Sequence, residues 1–117
     1  MASVTCKASV RLKTLTPALL RLLRGVYAVA EQAANVPTVV ITSINDSVHS
    51  ASSRHYTDEA IDLRSQNFPT LTAKEAFAAS LRAELGPAFT VLFEGVGGEN
   101  EHWHLQPKKG TTYVDVA

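Results

Sequence analysis

The apolar positions of the chain fall into two helical stretches and four short extended ones. Over residues 16–35, Leu19, Leu20, Leu22, Leu23, Val26, Val29 and Ala30 recur at helical spacing, while Arg21, Arg24, Glu31 and Gln32 lie mostly off that face. Thr16-Pro17 predicts the start, with Thr as N-cap and Pro at the first helical position. Pro37 disfavours helix in the residue before it, so this helix is expected to end near Asn35. Residues 38–44 are β-branched and short, the signature of a buried strand. Residues 59–64 alternate, with Ala60 and Asp62 on one side and Ile61 and Leu63 on the other. Thr72-Ala73-Lys74-Glu75 reads as a capping box opening a second helix that carries Ala76, Phe77, Ala79, Leu81 and Leu85. Gly86-Pro87 stops that helix. Residues 89–93 form a second strong strand, residues 95–100 the tight turn of a β-hairpin, and residues 102–106 the returning strand. Near the start, Val4, Cys6, Ala8 and Val10 alternate with polar residues, as in an edge strand or extended arm. In the tail, Tyr113, Val114 and Val116 allow one more short strand.

This order predicts an α+β domain in which a small, largely antiparallel sheet carries two main helices on one side, residues 1–117 forming a single unit. A chain of 117 residues, 45% apolar and 19% charged, is long and apolar enough to bury a core. Eleven basic and eleven acidic residues give no basic stripe for nucleic acid. The single cysteine, Cys6, excludes an internal disulfide and a cysteine-rich zinc site. No uninterrupted apolar run reaches the roughly 18 residues of a membrane span. Residues 17–30 look like a signal core, but Arg21 and Arg24 interrupt them at helical spacing, and the first fifteen residues have no apolar core. Synthesis without a signal peptide is expected.

The chemistry-bearing residues gather in two places. His55 and Asp62 stand seven apart after a polar loop, and Glu101-His102-Trp103-His104 opens the last strand. On a strand, His102 and His104 share a face while Trp103 points the other way, into the core. Spacing leaves either imidazole open as a metal ligand. Glu101 is three before His104, so a regular strand turns it away. It has to sit on the loop side of the strand start to join the site, which the glycine-rich approach permits. Two imidazoles and one carboxylate leave a tetrahedral position of a zinc ion open for water. Zinc brings the pKa of that water near neutrality, and a spare carboxylate can take its proton. A small zinc hydrolase is the reading that follows. Taken singly, each half serves equally well as a polar surface patch. His49 reads as a loop histidine, and Arg54 and Arg64 as solvated or paired with Asp58 or Glu59.

The two halves together resemble a family. Ser53-x-His55-x-x-x-x-Ala60-x-Asp62 is similar to the S-x-H-x-x-G-x-A-x-D motif of the zinc D-alanyl-D-alanine peptidases, which include vancomycin-resistance D,D-peptidases, phage endolysins and the related zinc domain of hedgehog proteins. Glu101-His102-Trp103-His104-Leu105 is similar to that family's E-x-W-H-[LF] motif, and the resemblance covers roughly residues 17–106. It implies a hedgehog-type fold, Zn2+ held by His55, Asp62 and His104, and Glu101 as general base and acid. Ser53 would support the first ligand loop, with Arg54 and Tyr56 near the substrate. The implied substrate is a peptidoglycan stem peptide, cut as a D-Ala-D-Ala carboxypeptidase or an L-Ala-D-Glu endopeptidase cuts it, by a monomer acting at the cell wall in wall remodelling or phage lysis. The alternative is a non-catalytic zinc-binding module that recognises wall peptide or a protein partner. Two positions depart from the pattern. Asp58 stands where the family has glycine, and the region before the motif, Thr42-Ser43-Ile44-Asn45-Asp46, lacks the arginine that polarises the substrate carbonyl in many members.

Overall fold

A computed structural model of the chain describes residues 3–12, 15–32, 37–44 and 60–108. Its elements run β1 (Val4–Cys6), α1 (Pro17–Gln32), β2 (Val39–Ser43), β3 (Ile61–Arg64), α2 (Leu71–Leu85), β4 (Phe89–Glu94) and β5 (His102–Pro107). The sheet order is β1-β2-β3-β5-β4. β1 is an edge strand and runs parallel to β2; the other three pairings are antiparallel. This is the expected α+β architecture with a largely antiparallel sheet.

Side chains alternate between the two faces of a strand, and the burial pattern follows that period. Ile61 and Leu63 of β3, Trp103, Leu105 and Pro107 of β5, and Phe89 and Val91 of β4 are buried, while Asp62, Arg64, His102, His104 and Gln106 are half-buried between them. The inward face meets both helices. Leu19, Leu22, Val26, Val29 and Ala30 of α1 and Phe77, Ala78, Leu81 and Leu85 of α2 join those strand residues in one core. Trp103 stands at its centre, fully buried, edge-on to Phe68 at 4.9 Å, tilted against Phe77 at 4.9 Å and stacked with Phe93 at 5.6 Å. Aromatic contacts of this kind add to the area that the rings bury. The helices approach closely at Gly25, where a Cβ would stand 2.5 Å from Leu85 Cδ2. Beside that contact Arg21 donates to the Glu84 carbonyl at 2.6 Å and to its carboxylate at 3.2 Å.

The first helix begins where Thr16-Pro17 predicts: the Leu19 N–H donates to the Thr16 hydroxyl at 3.1 Å. Leu20, placed on its apolar face by spacing, is 38% exposed and lies off the core. The end expected near Asn35 and the short strand in the tail lie outside the described residues. The cap of α2 differs from the sequence reading. Thr70, not Thr72, is the N-cap: its backbone is extended, and its side chain accepts from the Ala73 N–H at 3.1 Å. The helix opens at Leu71, so Thr72 falls inside the first turn rather than at the cap. Gly86, at φ 81°, closes α2 as expected, its N–H donating to the Arg82 carbonyl at 3.0 Å.

Thr70→Ala should therefore lower the free energy of unfolding by about 1 kcal/mol, while Thr72→Ala should change it by less than about 0.5 kcal/mol. Urea denaturation of the two variants checks this, and equal losses would move the cap back to Thr72.

Candidate metal site

Asp62 and His104 face each other across β3 and β5 in direct register, on the side of the sheet turned away from the helices. His104 Nδ1 lies 2.9 Å from Asp62 Oδ1 and, facing a carboxylate, is the donor. His104 Nε2 lies 2.7 Å from Oε1 of Gln106, two residues along the same strand face. An amide carries both a donor and an acceptor, so Gln106 can serve a neutral imidazole or an imidazolium by turning over. Burial pulls the His104 pKa down. The hydrogen bonds to Asp62 and Gln106 and the negative charges of Asp62 and Glu94 outweigh it, and the net shift is upward. The folded state thus favours protonated His104. That contribution to stability is complete below the ordinary imidazole pKa and fades as pH rises through the raised one.

The pairing of β2 with β3 slips by one residue between Ile41, opposite Leu63, and Ser43, opposite Asp62. A bulge of this kind re-aims the strand that carries it. Here it brings the buried Ser43 into the row of Asp62 and His104.

A second row runs parallel to the first. Arg64, His102 and Glu94 are in register across β3, β5 and β4. His102 Nδ1 donates to the Asn100 carbonyl at 2.6 Å, and its Nε2 stands 3.1 Å from Glu94 Oε1. The ring is held by the hairpin turn and by β4. Of the two imidazoles that spacing left open, His104 is the one set against Asp62.

Glu101 is not gathered with them. It is 6% exposed and accepts from the Ser65 hydroxyl at 2.6 Å, the Lys74 ammonium at 2.6 Å and the Gly97 N–H at 2.9 Å. Ser65 follows the buried positions of β3 and Lys74 belongs to α2, so the carboxylate lies on the helix side of the sheet, as a period of two dictates. The glycine-rich turn does not swing it toward His104. Gly95 at φ 64° and Gly97 at φ 84° instead fold the turn back so that a backbone N–H reaches the carboxylate. A Cβ on Gly95 would stand 2.8 Å from the Asn100 carbonyl oxygen. The Gly97 hydrogen bond, then those from Lys74 and Ser65, bring the Glu101 pKa down to about 2, with burial opposing and the Lys74 charge assisting. A carboxylate so held has little affinity for a proton, which is the opposite of what general-base work asks for.

Ser53, Arg54, His55 and Tyr56 lie outside the described residues, as do His49 and Asp58. Two of the three expected zinc ligands are therefore described, and they are in contact. Among the described residues no group of three His, Cys, Asp or Glu side chains could hold a metal ion. Sequence reasoning missed Gln106, although its period-two spacing from His104 marks it. It also missed Ser65, which meets Glu101 where β3 and β5 pair, and Lys74, which reaches it from α2. Comparison with protein-family models, curated proteins and solved structures finds no match.

The Glu101 network has a measurable signature. Its folded pKa lies below the ordinary value of 4.5, at about 2. The stability it contributes is present above that ordinary value and lost as pH falls toward 2, on the order of 3 kcal/mol in all. Glu101→Gln should cost a similar amount at neutral pH, because it leaves Lys74 facing a neutral amide. It should also flatten the acid limb of stability between pH 4.5 and 2. Urea midpoints across that range check it, and an unchanged acid limb in the variant would show that Glu101 is not the group responsible.

Proposed function

We propose that this protein is a zinc-dependent peptidase acting on peptidoglycan stem peptides at the cell wall, with Asp62, His104 and His55 as the metal ligands. The observation that carries the reading is the contact of Asp62 with His104. Two residues 42 apart in the chain, each in one half of the paired motif, meet on the sheet face turned away from the helices with a carboxylate oxygen and a ring nitrogen 2.9 Å apart. Imidazole nitrogen with carboxylate oxygen is a donor set that zinc accepts. Gln106 would orient the His104 ring, as outer hydrogen-bond partners of metal-bound histidines do. When bound, zinc would supply a nucleophilic water near neutral pH and polarise the scissile carbonyl. Because the fold raises the His104 pKa, a metal ion competes with a proton there more than at a free imidazole, so zinc affinity should increase with pH.

A second reading has an observation of its own. Glu101, the residue that the family pattern makes the base, is tied to Ser65, Lys74 and Gly97 behind the sheet. That arrangement favours a zinc-binding module that recognises wall peptide or a protein partner without cleaving it.

Metal analysis and mass spectrometry separate the two. Wild-type protein and His102→Ala should bind one zinc ion, and Asp62→Asn and His104→Ala should lose it, with affinity falling by at least tenfold to a hundredfold. Zinc should raise the melting temperature of the wild type, and a chelator should reverse that rise. Peptidoglycan fragments incubated with the zinc-loaded protein should lose a terminal D-alanine or be cut after the muramic-acid-linked L-alanine, and the chelator should prevent it. Stoichiometric zinc with no product would move the assignment to the binding module; failure to bind zinc would sink both readings.

A further inference from the structure

β1 and β4 are the two edges of the described sheet. An edge strand leaves a row of N–H and C=O groups open to another strand, and proteins blunt such edges with short strands, proline, lysine or bulges. β1 is blunted by its length of three residues. β4 is six residues long, holds neither proline nor lysine, and pairs with β5 without a bulge. One bond fixes which of its backbone groups point outward. Lys108 stands one step beyond the Phe89–Pro107 pair, opposite Ala88, and its N–H donates to the Ala88 carbonyl at 2.8 Å. Bonded and non-bonded pairs alternate along an antiparallel ladder, so Thr90, Leu92 and Glu94 turn their backbone groups to β5 while Val91 and Phe93 turn theirs outward. Pro107, which has no N–H, falls at a position that needs none. Among the described residues no strand pairs with this outer side. Its one guard is Arg82 of α2, whose Nε and Nη2 donate to the Val91 carbonyl at 3.3 Å and 3.0 Å.

The edge is complementary to itself. A second β4 running antiparallel about a two-fold axis at Leu92 sets Val91 of one copy opposite Phe93 of the other, and their outward N–H and C=O groups exchange hydrogen bonds on both sides of the axis. Leu92, 42% exposed, meets its own counterpart in the close, non-bonded pair. Glu94 falls opposite Thr90, which lines one groove with Lys108 at this edge. Thr90, Glu94 and Lys108 share a face by the period of two, and Lys108 is exposed, so a carboxylate meets an ammonium on each side of the axis. Glu94 touches His102 through one oxygen and its side chain is 47% exposed, which leaves it capacity for this second partner. We infer that the β4 edge is a pairing surface for a second copy of this chain, with Arg82 as the side chain that must swing off the Val91 carbonyl before the strands join. The joined sheet is continuous. Both Asp62–His104 pairs lie on its same side, the two His104 residues about 14 Å apart across three strand spacings. The pairing calls on backbone groups and exposed side chains and needs no metal, so it stands apart from the peptidase reading.

Sedimentation velocity of the full chain over a range of concentrations, with no metal added, tests the assignment. Arg82→Ala should dimerise at a concentration about tenfold or more below the wild type, because the competitor for the Val91 carbonyl is gone. Arg82→Met, which keeps the apolar stem and removes the donors, should do the same. Leu92→Lys in the Arg82→Ala background should return the protein to monomer, since like charges then face each other across the axis. Lys108→Glu in that background should weaken the dimer, and adding Glu94→Lys should restore it, which tests the register. Assembly should stop at the dimer, because a two-fold pairing closes on itself and β1 is too short to continue it. The wild type should itself dimerise at the top of the range and Leu92→Lys alone should not, which keeps the test independent of how well the Arg82 variants fold. A monomer at every concentration in the wild type and both Arg82 variants, a dimer that survives Leu92→Lys, or a charge exchange that restores nothing would overturn the assignment.

Discussion

The register between β3 and β5 is the constraint on which the rest of the molecule depends. Leu63 faces Trp103, and Asp62 faces His104, in the same pairing. One set of side chains enters the aromatic core and the other lies on the face turned away from the helices. A slip of one residue would exchange the two sets, driving an aspartate and two histidines into the core and a tryptophan into water. The cost on both sides is large, because a buried charge without a partner and an exposed Trp103 each forfeit several kcal/mol. The site therefore owes its geometry to the same hydrophobic choice that builds the core. Trp103 is held by Phe68, Phe77 and Phe93, and its neighbours in sequence are aimed outward as a consequence.

Glu101 enforces this register from the mouth of the strand. Its carboxylate joins the end of β3 through Ser65, α2 through Lys74 and the hairpin turn through Gly97. A buried ion pair adds little net stability compared with a well-packed apolar replacement, but breaking it is costly. Its effect is then to penalise every arrangement in which β5 starts one residue early or late. A strand start that satisfies three donors on one carboxylate is difficult to reproduce in a shifted pairing. The same engagement that makes Glu101 a good anchor makes it a poor acceptor of protons, and the two roles compete for one side chain.

Much of this was legible in the chain. The α1 boundary at Thr16-Pro17, the strands about Val39–Ser43 and Phe89–Glu94, and the inward tryptophan between two outward histidines follow from capping chemistry and a period of two. Both are local. What was not legible depends on tertiary packing. Thr70 and Thr72 are each good caps in isolation, and only the folded chain shows that the first is used. Glu101 was legible as a charged residue beside a glycine-rich turn, but not its partner Lys74, which is 27 positions away and on another element. Arg64 read as a solvated or paired cation, because pairing depends on which acids the fold places beside it and which of those other groups claim first.

Among the described residues, the histidines on the sheet face turned away from the helices are engaged by their neighbours, and that bears on how this face can bind anything. Asp62 and Gln106 can match donors to acceptors on both nitrogens of His104, and His102 lies between the Asn100 carbonyl and the Glu94 carboxylate. A metal ion at Asp62 and His104 would have to replace the hydrogen bond between them, so it would compete with a proton that the surrounding carboxylates stabilise. Coordination must exceed that loss, and the excess grows as pH removes the competing proton.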